Sequence, residues 1–249
     1  SFIENKMYAD TQPTKVYYIT PCFRYERPQA GRQRQFHQFG IEVLGSDGPS
    51  VDAEVISLAV QFFNEMGLKN LSVNINSVGC PTCREEYNRK LKEYLDKKVD
   101  VLCETCLERK DKNPMRVIDC KNPHCKENLQ DIPFMIDHLC DDCKEHFEKL
   151  QTYLKEMDIN YVVDKTIVRG LDYYKKTAFE IISNDIGSQS TVCGGGRYDG
   201  LVEMLGGPKG ISGIGFGLGV ERLLLTLENN NIEIENPKST DIYIATIGD

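Results

Sequence analysis

The sequence predicts an α+β protein: a mixed, mainly antiparallel sheet flanked by helices and interrupted by a mostly helical, cysteine-rich insertion. Three observations carry that expectation. Apolar/polar alternation of strand type occurs on both sides of a sharp break in composition. Eight of the ten cysteines fall between Cys80 and Cys143. A glycine-alternating strand, Gly213 to Gly219, runs directly into an apolar-faced helix. A chain of 249 residues can hold one large domain or a domain plus an insertion. The boundaries fall at 1–78 and 154–238 for the core and 79–153 for the insertion, with 239–249 as the first strand of a further domain.

Residues 15–24 and 36–45 read as a β-pair joined by an Arg/Gly/Gln loop. Successive strand side chains point to opposite faces. His37, Phe39, Ile41 and Val43 therefore share a face that reads as core, and Phe36, Gln38, Gly40 and Glu42 share a polar one. If that polar face is covered it needs partners, because an unpaired buried polar group costs roughly 1–3 kcal/mol. A small ligand would supply them. Arg24, at the end of the first strand, is delivered beside the same surface, so the pair reads as a floor for an anionic, nitrogen-bearing substrate.

Ser50 to Met66 sets Val51, Val55, Leu58, Ala59, Phe62 and Phe63 along one helix face, after the turn Asp47-Gly48-Pro49 and before the stop at Gly67. Leu71 to Asn76 alternates as a strand. From Cys80 to Tyr153 the chain becomes rich in Cys, Lys and Glu and reads as several helices. Strand character returns over Val162 to Gly170 and Thr177 to Ser183. A Gly-rich loop is expected at Cys193 to Gly200, and then the strand Gly213 to Gly219 and the helix Val220 to Asn229.

The net charge of −8 argues against a basic module that coats nucleic acid, without excluding a local basic groove. No apolar run approaches the roughly 18 residues of a membrane span, and no signal-peptide pattern is present. The chain begins without Met and ends on the strand-like run Asp241 to Ala245, which reads as a piece of a longer protein.

Three segments concentrate chemistry. The bare face of Gly213 to Gly219 implies a flat object close to the backbone, a bulge, or tight packing against a neighbouring helix. The sequel Val220-Glu221-Arg222 adds a guanidinium able to stack on a base and engage phosphate. Arg169-Gly170-Leu171-Asp172-Tyr173-Tyr174 sets an arginine, an acid and two tyrosines in one turn; extended, the tyrosines would alternate faces, one packing and one bonding a ligand. The bland alternative is an exposed arginine beside two ordinary interface tyrosines. Gly194-Gly195-Gly196 before Arg197-Tyr198 permits tight turns and close backbone approach.

In order, these segments resemble the histidyl-tRNA synthetases, class II aminoacyl-tRNA synthetases. Phe23-Arg24-Tyr25-Glu26-Arg27-Pro28 through Phe36-His37-Gln38-Phe39-Gly40-Ile41-Glu42 resembles class II motif 2 in its histidine-specific form. Arg169 to Tyr174 and Gly194 to Gly200 resemble the two histidine-specific motifs, and Gly215 to Arg222 resembles motif 3. The resemblance covers nearly the whole chain and implies a class II synthetase-like sheet.

It also implies activation of histidine with ATP and magnesium, then transfer to the cognate tRNA. On that resemblance Arg24 and Arg169 are catalytic, Arg24 holding the α-phosphate and the substrate carboxylate, and Arg169 stabilising charge at the α-phosphate in the transition state. Glu26, Phe36, Glu221 and Arg222 join Arg24 in the ATP site. Gln38, Glu42, Tyr173, Tyr174 and Tyr198 line the histidine site, Gln38 toward the amino group and Glu42 toward the imidazole. Motif 1 and an Arg-Pro-Glu-Gly-Thr-like loop would lie upstream of Ser1, and residues 239–249 would open a truncated anticodon-binding domain. The full-length protein is expected to be a cytoplasmic homodimer with no membrane segment. The alternative is a synthetase-like regulatory subunit of histidine biosynthesis, in which the Arg169 to Tyr174 motif would be expected to be lost.

Cys80-x2-Cys83 and Cys103-x2-Cys106, nineteen residues apart, have zinc-ribbon spacing, and Cys120-x4-Cys125 with Cys140-x2-Cys143 forms a second set. These eight thiols are candidate ligands of structural zinc. Pairing order is open, interleaved sites included, and reduced, half-buried thiols are the alternative. His124, His138 and His146 are substitute ligands. The resemblance places an insertion here that grips the tRNA acceptor arm.

Overall fold

A computed structural model of the chain describes residues 1–25, 28, 32–168, 173–183, 191–234, 242 and 244–245. A seven-stranded sheet organises it, in the order β1-β2-β7-β6-β5-β3-β4. The strands are β1 (Thr14–Phe23), β2 (Gln35–Leu44), β3 (Leu71–Ser77), β4 (Val162–Val163), β5 (Lys175–Ser183), β6 (Thr191–Arg197) and β7 (Gly213–Gly219). Every neighbouring pair is antiparallel except β3 and β4. The mainly antiparallel, helix-flanked sheet matches the expectation.

One face of the sheet is dry. Val43, Ile75, Phe179, Ile181, Ile214 and Phe216 are buried there in one core with residues of three helices. Helix α1 (Pro49–Glu65) contributes Ala53, Ile56, Ala59 and Phe63, and α5 (Asp141–Glu156) contributes Phe147, Leu150 and Leu154. Helix α7 (Val220–Asn229) adds Leu223 and Leu227. Each set repeats at three- or four-residue spacing, so one stripe of each helix faces the sheet.

The opposite face is floored by glycine. Read across the strands, Tyr18, Gly40, Gly217, Gly194, Glu180 and Asn74 form one row in register. Three adjacent strands thus present no side chain where Gly40, Gly217 and Gly194 lie side by side. The next row sets Glu42 against Gly215 and Gly196.

Helices α2 (Pro81–Asp96), α3 (Glu104–Lys112) and α4 (Pro123–Asn128) make up most of the insertion, and α6 (Leu201–Met204) follows β6. The insertion has its own small core, in which Cys83, Cys106, Cys120, Cys125 and Cys143 are buried beside Tyr87, Leu91 and Leu95. Helix α5 spans both cores, since Cys143 belongs to the insertion cluster and Phe147 to the sheet cluster. Among the described residues no helix is long and apolar enough to cross a membrane.

Two expectations need correction. The Gly-rich segment at Cys193 is a central strand, β6, through Arg197, and only then a turn. Its glycines are tolerated because flanking strands bond its backbone on both sides. Of the strand anticipated over Val162 to Gly170, the described residues 162–168 form strand only at Val162–Val163, ended where Asp164 caps a turn by accepting from the Thr166 N–H at 2.9 Å.

Candidate active site

Two cavities lie over the glycine floor and share Gln38, Gly194 and Gly217. The first, about 770 Å³, is lined by Gln38, Glu42, Tyr18, Tyr173, Tyr174 and Tyr198. Residues Ser1 to Glu4 and α6 also contribute to its walls. The second, about 850 Å³, is lined by Arg24, Arg32, Phe36, Glu180, Glu221 and Arg222.

In the first cavity Glu42 and Gln38 lean from β2 across β7. A Cβ at Gly215 would collide with the Glu42 carboxylate, and one at Gly217 with the Gln38 amide. The bare face of β7 therefore makes room for the polar side chains of its neighbour. Tyr198 donates to Glu42, and the Gln38 Nε2 donates to the Tyr18 hydroxyl at 2.7 Å. Burial pushes the Glu42 carboxyl up to about 7 against the bond from Tyr198. Burial, with Glu42 next to it, likewise raises Tyr198. The Tyr173 and Tyr174 rings lie 4.9 Å apart at 30°, and Tyr173 meets Tyr198 edge-on at 6.3 Å. The two tyrosines do not divide between faces as an extended pair would; both line this cavity.

The second cavity is lined by charges of both signs, with Arg24, Arg32, Lys121 and Arg222 set among Asp119, Asp164, Glu180, Glu221 and Glu228. The Arg24 guanidinium lies 3.7 Å over the centre of the Phe36 ring. Arg222 donates to the Thr191 carbonyl at 2.6 Å. Burial, then the charges of Arg24 and Arg32, press Arg222 below its ordinary value, partly offset by the Glu180 carboxylate, so Arg24 and Arg32 each repel Arg222. An anion relieves that repulsion. Glu221 accepts from the His37 N–H at 2.8 and 2.9 Å and contacts its Nδ1 at 2.9 Å, fixing the strand at Phe36. Glu26 and Arg169, with the rest of Arg169 to Asp172, lie outside the described residues.

Sequence reasoning missed what stands behind Tyr198. Asp52, fully buried on α1, bonds the Arg197 guanidinium, the Thr177 hydroxyl and, at 2.8 Å, His146 Nε2. Arg197 also donates to the Ser46 carbonyl at 2.9 Å and Asp199 at 3.1 Å. Burial alone would raise the Asp52 carboxyl, but the His146 hydrogen bond and the Arg197 charge carry it below its ordinary value. His146 is thus a core partner, the His124 N–H donates to Asn122 Oδ1 at 3.0 Å at the start of α4, and His138 packs its ring 5.6 Å from Tyr87; both four-ligand groups consist of cysteines alone. The available signal was an acid in the first turn of an apolar-faced helix, which fits an ordinary helix start equally well. Tyr18 was missed because the loop between β1 and β2 leaves their register open.

The cysteines assemble as two four-thiol clusters, but nested instead of sequential. Cys80, Cys83, Cys140 and Cys143 form an inner set, and Cys103, Cys106, Cys120 and Cys125 an outer one, all ligand atoms within 4.8 Å of one another in each. Sequence spacing left the pairing open; the structure closes it because the insertion is a loop whose ends meet, bringing its first and last pairs together.

Cys80, Cys103 and Cys140 are the N-caps of α2, α3 and α5, and Cys83, Cys106, Cys125 and Cys143 sit three residues into helices. A helix N-terminus favours a thiolate. Burial opposes ionisation of Cys80, yet the Cys83 backbone N–H and the neighbouring thiols bring it down to about 6. At Cys103 the Cys106 backbone N–H leads, against burial, to about 7. The Cys140 N–H donates to Cys83 Sγ and the Cys103 N–H to Cys125 Sγ, both at 3.1 Å. Sulfur separations of 3.5 and 3.8 Å in the inner set and 3.8 Å in the outer suit zinc, since thiolates ~2.3 Å from a tetrahedral ion lie about 3.8 Å apart.

Comparison with known proteins agrees with this geometry. The family model described as histidyl-tRNA synthetase matches residues 3–223. A histidine–tRNA ligase of Clostridioides difficile (strain 630) is 81% identical over all of this chain, which covers 59% of that protein. One from Caldanaerobacter subterraneus is 59% identical, with 60% of it covered. The structure of apo histidyl-tRNA synthetase from S. aureus superposes with a TM-score of 0.75 at 40% identity, over 94% of this chain and 56% of that one. A Bacillus halodurans structure titled as an ATP phosphoribosyltransferase regulatory subunit/histidyl-tRNA synthetase, 22% identical with a TM-score of 0.60 over 91% of this chain and 61% of that one, shares the fold. The chain thus spans about three-fifths of the curated relatives it matches, and it belongs to the histidyl-tRNA synthetase family.

Proposed function

We propose that this chain is the catalytic part of a histidine–tRNA ligase, with histidine in the first cavity and ATP, as its magnesium complex, in the second. The observation that carries the reading is the junction of the two cavities at Gln38, Gly194 and Gly217, where a carboxylate from one side can meet a phosphate from the other. Glu42 and Tyr198 offer polar partners to an imidazole, and Gln38 to the α-amino group. A pocket that bonds ring nitrogens rejects analogues lacking them, because its own groups are then left unpaired. Arg222, Arg24 and Arg32 oppose the triphosphate charge, and Phe36 offers an aromatic surface to the base.

A histidine carboxylate oxygen attacks the α-phosphorus in line, the bond from that phosphorus to the bridging oxygen breaks, and pyrophosphate leaves. Positioning and cationic stabilisation by Arg24 and Arg169 are what this step requires of the protein. A ribose hydroxyl at the 3′ end of tRNA then attacks the carbonyl carbon, and AMP leaves. The intact Arg169 to Tyr174 motif favours this over a regulatory subunit. The working protein is read as a cytoplasmic homodimer. The eight cysteines would hold two zinc ions as closed structural sites, reinforcing the small apolar core of the insertion.

Equilibrium binding tests the two-cavity reading. In the full-length protein Glu42→Gln should weaken histidine on the order of tenfold or more and leave ATP unchanged, and Arg222→Ala should do the reverse. Equal losses of both ligands in either variant would contradict it.

A further inference from the structure

The outer cysteine cluster stands beside the second cavity. Asp119 and Lys121, on either side of Cys120, line that cavity together with Arg24 and Arg222. The segment carrying them is tied down at several points. Met115 packs against the buried Val78, Ile167 and Ala178, the same group that Tyr174 packs against. Arg109 of α3 donates to the Arg116 carbonyl at 3.1 Å. Asp119 lies 3.0 Å from the Lys121 ammonium and 3.8 Å from the Arg116 guanidinium. The Asn122 N–H reaches Cys120 Sγ at 3.4 Å. Cys120 itself is the cluster's third thiol along the chain and is buried.

We propose that the outer cluster, holding zinc, builds one wall of the nucleotide cavity, and that Lys121 brings from this wall a cation to the phosphates of the bound nucleotide. The proposal rests on the reading of that cavity as the ATP site. Its other cations come from the sheet and α7, so Lys121 is the contribution of the insertion. An ammonium on a flexible stem acts on phosphate as a point charge, and Asp119 keeps that charge at the rim. No thiol of either cluster lines this cavity; the outer cluster reaches it through Asp119 and Lys121, which flank Cys120, whereas no residue flanking an inner thiol does so. Zinc in the two clusters therefore does different work: the inner one closes the ends of the insertion, and the outer one shapes a ligand site.

The test uses the full-length protein, with equilibrium binding of MgATP, adenosine and histidine, and zinc counted by elemental analysis. Lys121→Gln should weaken MgATP about two- to fivefold, as expected for one exposed ionic contact, with adenosine and histidine unchanged and zinc content unaltered. Lys121→Arg should restore most of the affinity. The double variant Cys120→Ser, Cys125→Ser should lose one zinc and weaken MgATP at least as far as Lys121→Gln. Unchanged MgATP affinity in Lys121→Gln, or equal weakening of adenosine, would overturn the proposal. So would a defect confined to transfer onto tRNA, which would make Lys121 a tRNA contact. If the unaltered protein binds no ATP, the underlying nucleotide reading fails instead.

Discussion

The sheet and the insertion solve one problem in two ways. Each must hold a polar, functional surface in place. The sheet does it with a dry face: Phe63, Ile56, Ile75 and Phe179 are fully buried behind a floor that exposes Gln38, Glu42 and the arginines. The insertion has a smaller core, in which Tyr87, Leu91, Leu95, Leu102, Val117, Leu129, Ile132 and Met135 lie beside five buried cysteines, and α2, α3 and α5 begin at three further cysteines, Cys80, Cys103 and Cys140. Hydrophobic burial tolerates a carboxyl forced up to about 7 at Glu42, because many other contacts support the strand beneath it. If the four-thiol clusters hold zinc as proposed, the insertion has no such reserve and would stand or fall with its metal.

The largest effect expected from this contrast is metal removal. Structural zinc contributes roughly 10–16 kcal/mol of apparent binding energy in small zinc-binding peptides. Stripping it should therefore unfold the insertion while β7 and α7 remain protected in hydrogen exchange. Two zinc ions per chain are expected, with Cys83→Ser and Cys143→Ser each lowering the count. Metal-free protein with an ordered insertion would break the comparison.

Next comes the buried network behind Tyr198. Asp52→Asn leaves the buried Arg197 with Asp199 as its remaining carboxylate partner, and breaking one side of such a buried pair commonly costs up to about 3–5 kcal/mol. Chemical denaturation should read that loss as a lower midpoint. The carboxyl of Asp52 is held below its ordinary value. Its stabilising contribution is therefore complete above the ordinary carboxylate range and disappears as pH falls below it. A wild-type advantage over Asp52→Asn that persists unchanged at low pH would contradict this.

Arg169→Ala tests the chemistry. One such electrostatic contact commonly lowers the barrier by about 2.7–4 kcal/mol, so adenylate formation should slow far more than ATP binding weakens. An unchanged turnover with only a raised KM would remove Arg169 from the catalytic set.

The smallest effect runs in the opposite direction. A carboxyl raised from 4.5 to about 7 is most stabilising to the fold when protonated. Its burden grows as pH rises from the first value to the second, to at most roughly 3 kcal/mol above pH 7. Glu42→Gln should thus stabilise the ligand-free protein by about 1–3 kcal/mol at pH 8 and by almost nothing at pH 4.5, though it weakens histidine. Destabilisation at pH 8 would make Glu42 a structural residue.

How far the sequence disclosed this depends on the range of the interaction. β2, α1, β3 and the β7–α7 junction follow from local periodicity and glycine placement, and so does the gathering of Gln38 and Glu42 on one face. The strand at β6 was hidden because three consecutive glycines look like a loop until flanking strands bond them. Asp52, His146 and Arg197 meet across 94 and 145 residues of chain, a distance no local pattern spans. The grouping of the cysteines stayed open for the same reason: spacing reports neighbours in sequence, and the inner cluster joins cysteines 57 and 60 residues apart.

Pyrophosphate exchange into ATP by the full-length protein, with the amino acid varied and tRNA omitted, tests the central claim most directly. The account predicts exchange with histidine and none above background with other amino acids. Absence of histidine-dependent exchange, or comparable exchange with another amino acid, would contradict it.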